Sequence, residues 1–115
     1  MASRLDETSS MRIGKGVPLP PGWTTAERLS PPEARALIDS IRATGIVGLG
    51  DHAVVEMNAD DLDMQDARNV LRGGVVQEPE FENGEWRYQV RTAKMVFVVA
   101  FESERKLTIV TAWRI

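Results

Sequence analysis

A chain of 115 residues is long enough for one domain and too short for two good cores, and 43% hydrophobic with 27% charged residues is ordinary for a soluble globular protein. With no cysteine and one histidine, His52, disulfides, thiolate metal sites and a cysteine nucleophile are excluded, and neither a metal nor another cofactor is expected. A net charge of −3 argues against direct DNA binding, and no apolar run is long enough for a secretory leader or a membrane helix, so no membrane association and a cytoplasmic location are the expectations.

Residues 1–29 have no helical or strand period and carry Pro18, Pro20 and Pro21 with Gly14, Gly16 and Gly22, which reads as an extended or flexible arm. Translation can start at Met1 or Met11. Trp23 is the exception in the arm and is expected to dock on the chain's own core. From residue 30 to 115 a single domain is expected. Leu29–Thr44 reads as a helix, with Ser30 as N-cap, Pro31 at the first helical position and Glu33 closing a capping box. Ala34, Leu37, Ile38 and Ile41 form its apolar stripe, and Gly45 is placed to end it in a left-handed conformation.

Ile46–Leu49 reads as a brief strand or an extended lead-in. Asp51 is then placed to cap a helix over His52–Asn58, and Asp63, with Asp66 three residues on, to cap a second short helix that ends at Gly73-Gly74. Val75–Phe81 reads as an edge strand because Pro79 cannot donate to a ladder. Asn83-Gly84 marks a hairpin into Trp86–Arg91. Met95–Phe101 is apolar at every position, so a central strand covered on both sides is expected. Lys106–Arg114 alternates, with Leu107, Ile109, Thr111 and Trp113 on one side. The fold expected is α+β, with N-terminal helices packed on a C-terminal four-stranded antiparallel meander.

From Gly50 onward the chain resembles a known family. The shared features are His52-Ala53 with Met57, Leu62-Asp63 running to Leu71-Arg72-Gly73-Gly74, the Asn83-Gly84 hairpin, and Ile109-Val110-Thr111. They are similar to a small bacterial domain-of-unknown-function family grouped with toxin ribonucleases of the RelE/barnase-like superfamily. One departure is Glu56, where that family carries Arg before the Met. The resemblance covers about residues 46–115. It implies a RelE/barnase-like fold, RNA as substrate and a cognate antitoxin as protein partner.

Charge distribution adds a second clue. Residues 85–115 hold six basic and three acidic side chains, or +3, and residues 1–84 the other eight basic and fourteen acidic, or −6. Such asymmetry can mark an anionic ligand on the sheet or ordinary salt-bridging within a small domain. Metal-free RNA cleavage needs a base, cations for the developing phosphate charge and an acid. His52 is the only imidazole and the candidate base. Arg91, Lys94 and Arg114 are the candidate catalytic cations, and Arg87 and Tyr88 the candidate substrate contacts, the guanidinium forks for phosphate and the phenol for stacking on a base.

Each residue has a plainer reading. His52 can serve a helix end, Arg87 and Arg91 a solvated strand face, Arg114 an acidic helix, and Tyr88 and Trp113 the core. Capping accounts for Asp63, and the spacing of Asp60, Asp61 and Asp63 does not fit an EF-hand loop. The lead expectation is therefore a toxin of a bacterial toxin–antitoxin system acting as a metal-independent endoribonuclease. The alternative is a non-enzymatic protein-interaction module, an immunity or antitoxin-like partner that binds a basic protein through its acidic helical half. Convergence of His52 with the arginines in one concave patch favours the first, and dispersal favours the second.

Overall fold

A computed structural model describes residues 12, 13 and 17–115, and within them the chain is α+β. Strands β1 (Arg12–Ile13) and β2 (Val17–Pro18) pair antiparallel and lie against helix α1 (Pro31–Thr44). Then come β3 (Ile46–Leu49), α2 (Asp51–Ala59), α3 (Met64–Gly73), β4 (Val75–Val76), β5 (Glu80–Glu82), β6 (Glu85–Arg91), β7 (Met95–Ser103) and β8 (Lys106–Arg114). The sheet has six strands in the order β3-β8-β7-β6-β4, with β5 also on β6.

All pairings in that sheet are antiparallel except β3 with β8, which is parallel. The four-strand meander expected from sequence is thus corrected in two places. Ile46–Leu49 adds a parallel edge strand, and the first expected strand is broken into β4 and β5 around Pro79. The Asn83-Gly84 turn joins β5 to β6 with positive φ at both residues, 49° and 80°, the pattern of a hairpin turn matched to strand twist.

Local signals hold well at two helices. Ser30 caps α1 reciprocally with Glu33, and Asp63 caps α3 reciprocally with Asp66. At the other ends the reason for glycine differs from the one anticipated. Gly45 has φ −107°, outside the left-handed region. A Cβ there would run into the Arg105 carbonyl, so glycine is needed for close approach to β8. α2 also starts one residue earlier than expected, with Gly50 as N-cap and no side-chain cap bond.

The core lies between the helices and one face of the sheet. Leu37, Ile38 and Ile41 of α1, Ala53 and Met57 of α2, and Ala67, Val70 and Leu71 of α3 pack on Tyr88, Val90, Phe97, Val99, Leu107, Ile109 and Ala112. Trp23 docks here as expected, edge-on to Phe101 with ring centroids 6.2 Å apart. The Tyr88 hydroxyl accepts from the Leu29 N–H at 2.8 Å, which ties the lead-in of α1 to β6 inside the core. Burial pushes the Tyr88 phenol above its usual range.

A second correction concerns β7. Among the described residues, helices cover only one of its faces. Val96, Val98 and Ala100 are buried on the other face, where their register partners on the flanking strands include Gln89, Arg91, Thr111 and Trp113. The β7–β8 register slips between Val98 and Val99, leaving Val110 as an extra residue on β8. That bulge reverses the parity of β8, so Leu107 and Ile109 face the core and so does Ala112, while Trp113 lies half-buried outside it. Among the described residues no helix is long and apolar enough to cross a membrane.

Tyr88→Phe leaves the buried Leu29 N–H without its acceptor and is expected to cost about 1–3 kcal/mol, read from the urea midpoint at unchanged m-value. The Asp63 carboxyl is held below its usual 3.8, first by the backbone N–H of Asp66 and also by that of Gln65. A lowered folded value means that its stabilising effect is present above the unfolded value and lost as pH falls through the folded one. Asn can cap without a charge, so the advantage of wild type over Asp63→Asn in urea midpoint is expected to shrink between about pH 6 and about pH 3.

Candidate functional site

The six residues singled out from the sequence do not form one surface. His52 stands in the first turn of α2, its side chain 69% exposed, 3.8 Å from Glu56 on the same helix. At the other end of that helix, about 12 Å away at 1.5 Å per residue, Arg114 is fully engaged. Its Nε donates to the Asp60 carbonyl at 2.9 Å and its Nη2 to the Asp61 carbonyl at 3.0 Å, and its backbone N–H donates to the Asp60 carboxylate at 2.8 Å. Arg114 thus closes the C-terminus of α2, where carbonyls lack helical partners. The plainer of its two sequence readings is the one seen.

Arg87 and Arg91 share the face of β6 opposite Tyr88 and Val90, which no helix of the described residues covers. Arg87 meets Glu85 at 3.0 Å and Glu82 at 3.5 Å, and Arg91 donates to the Gln89 amide oxygen at 3.2 Å. Arg87 also borders a groove of about 540 Å³ on this face whose other charged walls are Glu78, Glu80 and Glu82. Acids outnumber cations there, so the groove repels phosphate. Tyr88 points the opposite way into the core, which removes it as a platform for a base. Lys94 is exposed in the β6–β7 turn, near the chain end through the bond from the Ile115 N–H to its carbonyl. Arg91, Lys94 and Arg114 therefore lie toward one end of the sheet, and His52 does not join them.

Two features that the sequence reading passed over lie together at the opposite edge. The first is apolar. Ile46 and Leu49 of β3 are 61% and 39% exposed, and Val54 and Val55 of α2 are 43% and 62% exposed. Leu49, paired with Ile109, lies on the helix side of the sheet, whereas Ile46, paired with Lys106, lies on the other side of the strand. Apolar side chains left exposed on an edge strand and on the helix that follows it mark a candidate contact region. The second is a groove of about 460 Å³ between the end of α1, β3 and α3, with Ile41, Val47 and Met64 at its base and Arg42, Arg68 and Arg72 at its rim. The available signals were an edge strand without a charged residue and the i, i+4 spacing of Arg68 and Arg72 on one helix. Among the described residues no group of three His, Cys, Asp or Glu could hold a metal ion.

Compared with protein-family models, curated proteins and solved structures, the chain has no match.

Arg114→Ala is expected to lower the thermal unfolding midpoint through a loss of about 1 kcal/mol, because two carbonyls at the end of α2 lose their donor. His52→Ala, which removes only a long contact at an exposed helix start, is expected to stay within about 0.5 kcal/mol of wild type in the same measurement.

Proposed function

We propose that this chain is a non-enzymatic protein-interaction module. The observation that carries the reading is the edge strand β3, which has no charge, proline or bulge and exposes Ile46 on one side and Leu49 on the other, followed by the exposed Val54 and Val55 of α2. Dispersal of the candidate catalytic groups supports it as well. A base for the ribose hydroxyl must come within hydrogen-bond reach of its target while cations hold the same phosphate, and His52 stands apart from Arg91, Lys94 and Arg114. The acidic side chains of the helical half are largely occupied internally, Asp63 and Asp66 in a cap and Asp60 with Arg114. The contact area proposed is therefore the apolar edge, in place of the acidic helical half that the sequence suggested.

A second reading keeps the RNA-cleaving toxin of RelE/barnase type, controlled by an antitoxin. The grouping of Arg91, Lys94 and Arg114 toward one end of the sheet favours it, and in that reading the cations act without His52.

One experiment separates the two. Purified, folded wild type is incubated with total RNA, and in parallel tagged wild type and Ile46→Lys/Val55→Lys are cross-linked in the bacterial cytoplasm. The expected result is intact RNA, together with a cross-linked partner that the folded double variant loses. RNA cleavage that disappears in Arg91→Ala/Lys94→Ala would overturn the module reading in favour of the nuclease.

A further inference from the structure

The open side of β3 and the arginine-rimmed groove beneath it belong to one binding device. Resting on the interaction-module reading, we propose that β3 takes up an extended acidic segment of a protein partner as an added strand, with the segment's carboxylates meeting Arg42, Arg68 and Arg72.

The backbone supplies the first argument. β3 pairs with β8 and, among the described residues, with no other strand. The Ile46 N–H donates to the Arg105 carbonyl at 2.9 Å and the Gly50 N–H to the Ile109 carbonyl at 3.0 Å. Residues 46, 48 and 50 therefore face β8, and the alternation of a parallel ladder turns the amide and carbonyl of Val47 and Leu49 outward. Edge strands are usually guarded by a charge, a proline or a bulge. Ile-Val-Gly-Leu has none of these.

Charge supplies the second. The groove wall contains three arginines and no acidic residue. Arg68 and Arg72 reach only the side-chain oxygens of Gln65 and Asn69, each at 3.4 Å, and neither pairs with a carboxylate among the described residues. Arg42 comes within 3.8 Å of Asp39, which Arg35 already approaches at 3.2 Å. Asp63, beyond the groove wall, is near enough for Arg68 to lower its pKa, yet the wall itself carries three cations and no acid, a local excess of positive charge in a chain of net charge −3.

Geometry joins the two arguments. Val47 pairs with Leu107, a core residue, so its side chain lies on the helix side of the sheet and helps to line the groove. A strand added outside β3 directs every second side chain to that same side, about 6.6–6.8 Å apart. Alternate carboxylates on it would face the guanidinium forks, and the residues between them would face the Ile46 side. Main-chain bonds supply affinity in this mode, and the alternate pockets supply selectivity. A nucleic-acid strand matches the arginines but has no backbone amide for the outward carbonyls of Val47 and Leu49, so a peptide is the better occupant.

The test uses the whole folded chain and a fluorescein-labelled peptide of about eight residues alternating Glu with Val and Thr, long enough to span a four-residue edge with overhang. Fluorescence anisotropy is expected to give saturable binding that weakens at least tenfold in Arg68→Gln/Arg72→Gln. Binding should also be lost for a peptide N-methylated at alternate backbone positions, a change that leaves the protein untouched. A Lys-for-Glu peptide is expected not to bind. No saturable binding by the folded wild type, equal binding of the N-methylated peptide, or preference for a short oligouridylate through the same arginines each overturns the proposal. If the peptide fails while Ile46→Lys/Val55→Lys still loses its cross-linked partner, strand addition fails and the module reading stands.

Discussion

The parallel pairing of β3 with β8 is the constraint on which the arrangement of the helices depends. It is four residues long, begins where the Ile46 N–H meets the Arg105 carbonyl, and ends where the Gly50 N–H meets the Ile109 carbonyl. α1 leads into it and α2 leads out of it, so fixing β3 fixes the C-terminus of one helix and the N-terminus of the other. Gly45 makes the junction possible, because any Cβ at that position would occupy the space of the Arg105 carbonyl. Arg114 then fastens the far end of α2 to the last strand. With both ends held, α2 lies along β8 beyond the reach of β3 and keeps Ala53 and Met57 in the core.

The same arrangement makes the sheet one-sided. Among the described residues, three helices meet the face that carries Phe97, Val99 and Ile109, and none meets the face that carries Val98 and Trp113. A fully apolar central strand usually needs cover above and below. Here Val96, Val98 and Ala100 are buried on a face whose register partners are long or aromatic side chains such as Gln89, Arg91 and Trp113, which can lay apolar stems or rings over small neighbours while polar ends stay in water. The cost is modest because Val and Ala expose little area once their neighbours lean in. Ion pairs between Arg87 and its two glutamates hold part of that cover in place.

How much of this was legible in the sequence depends on the range of the interaction. Capping boxes at Ser30 and Asp63, the Asn83-Gly84 turn and the docking of Trp23 all rest on local chemistry or on the size of one indole, and they could be read directly. The bulge at Val110 could not, since nothing in Lys106–Arg114 marks where an extra residue is inserted, and one slip moves every later side chain to the other face. That slip is why Trp113 lies outside the core and Ala112 inside it. The parallel partner of Ile46–Leu49 was equally hidden, because a four-residue apolar run does not say which strand it joins. For the candidate site, residue types alone suggested a cationic face. Neighbours distant in sequence decide what those cations do: Asp60 and Asp61 engage Arg114, and Leu29 engages Tyr88.

Charge accounting within the fold explains why the proposed surface differs from the one that the sequence favoured. Part of the basic excess of the C-terminal third is engaged where it stands, Arg87 by Glu82 and Glu85 and Arg114 by the end of α2. Among the described residues, several acids of the first two thirds are engaged too, in caps and in contacts with Arg35 and Arg28. The rim formed by Arg68 and Arg72 with Arg42 gathers three cations on one groove wall, inside the segment whose net charge is negative. A segment-wide sum conceals it, because surface charges interact over roughly a Debye length of about 8–10 Å and not along the chain. Beside that rim runs a strand edge that no described element covers, and the two deficits, of counter-charge and of hydrogen-bond partners, can be met by the same kind of molecule. An extended acidic peptide carries carboxylates for the first and a polar backbone for the second, which is why the surface is better matched to a protein strand than to a small anion or to RNA.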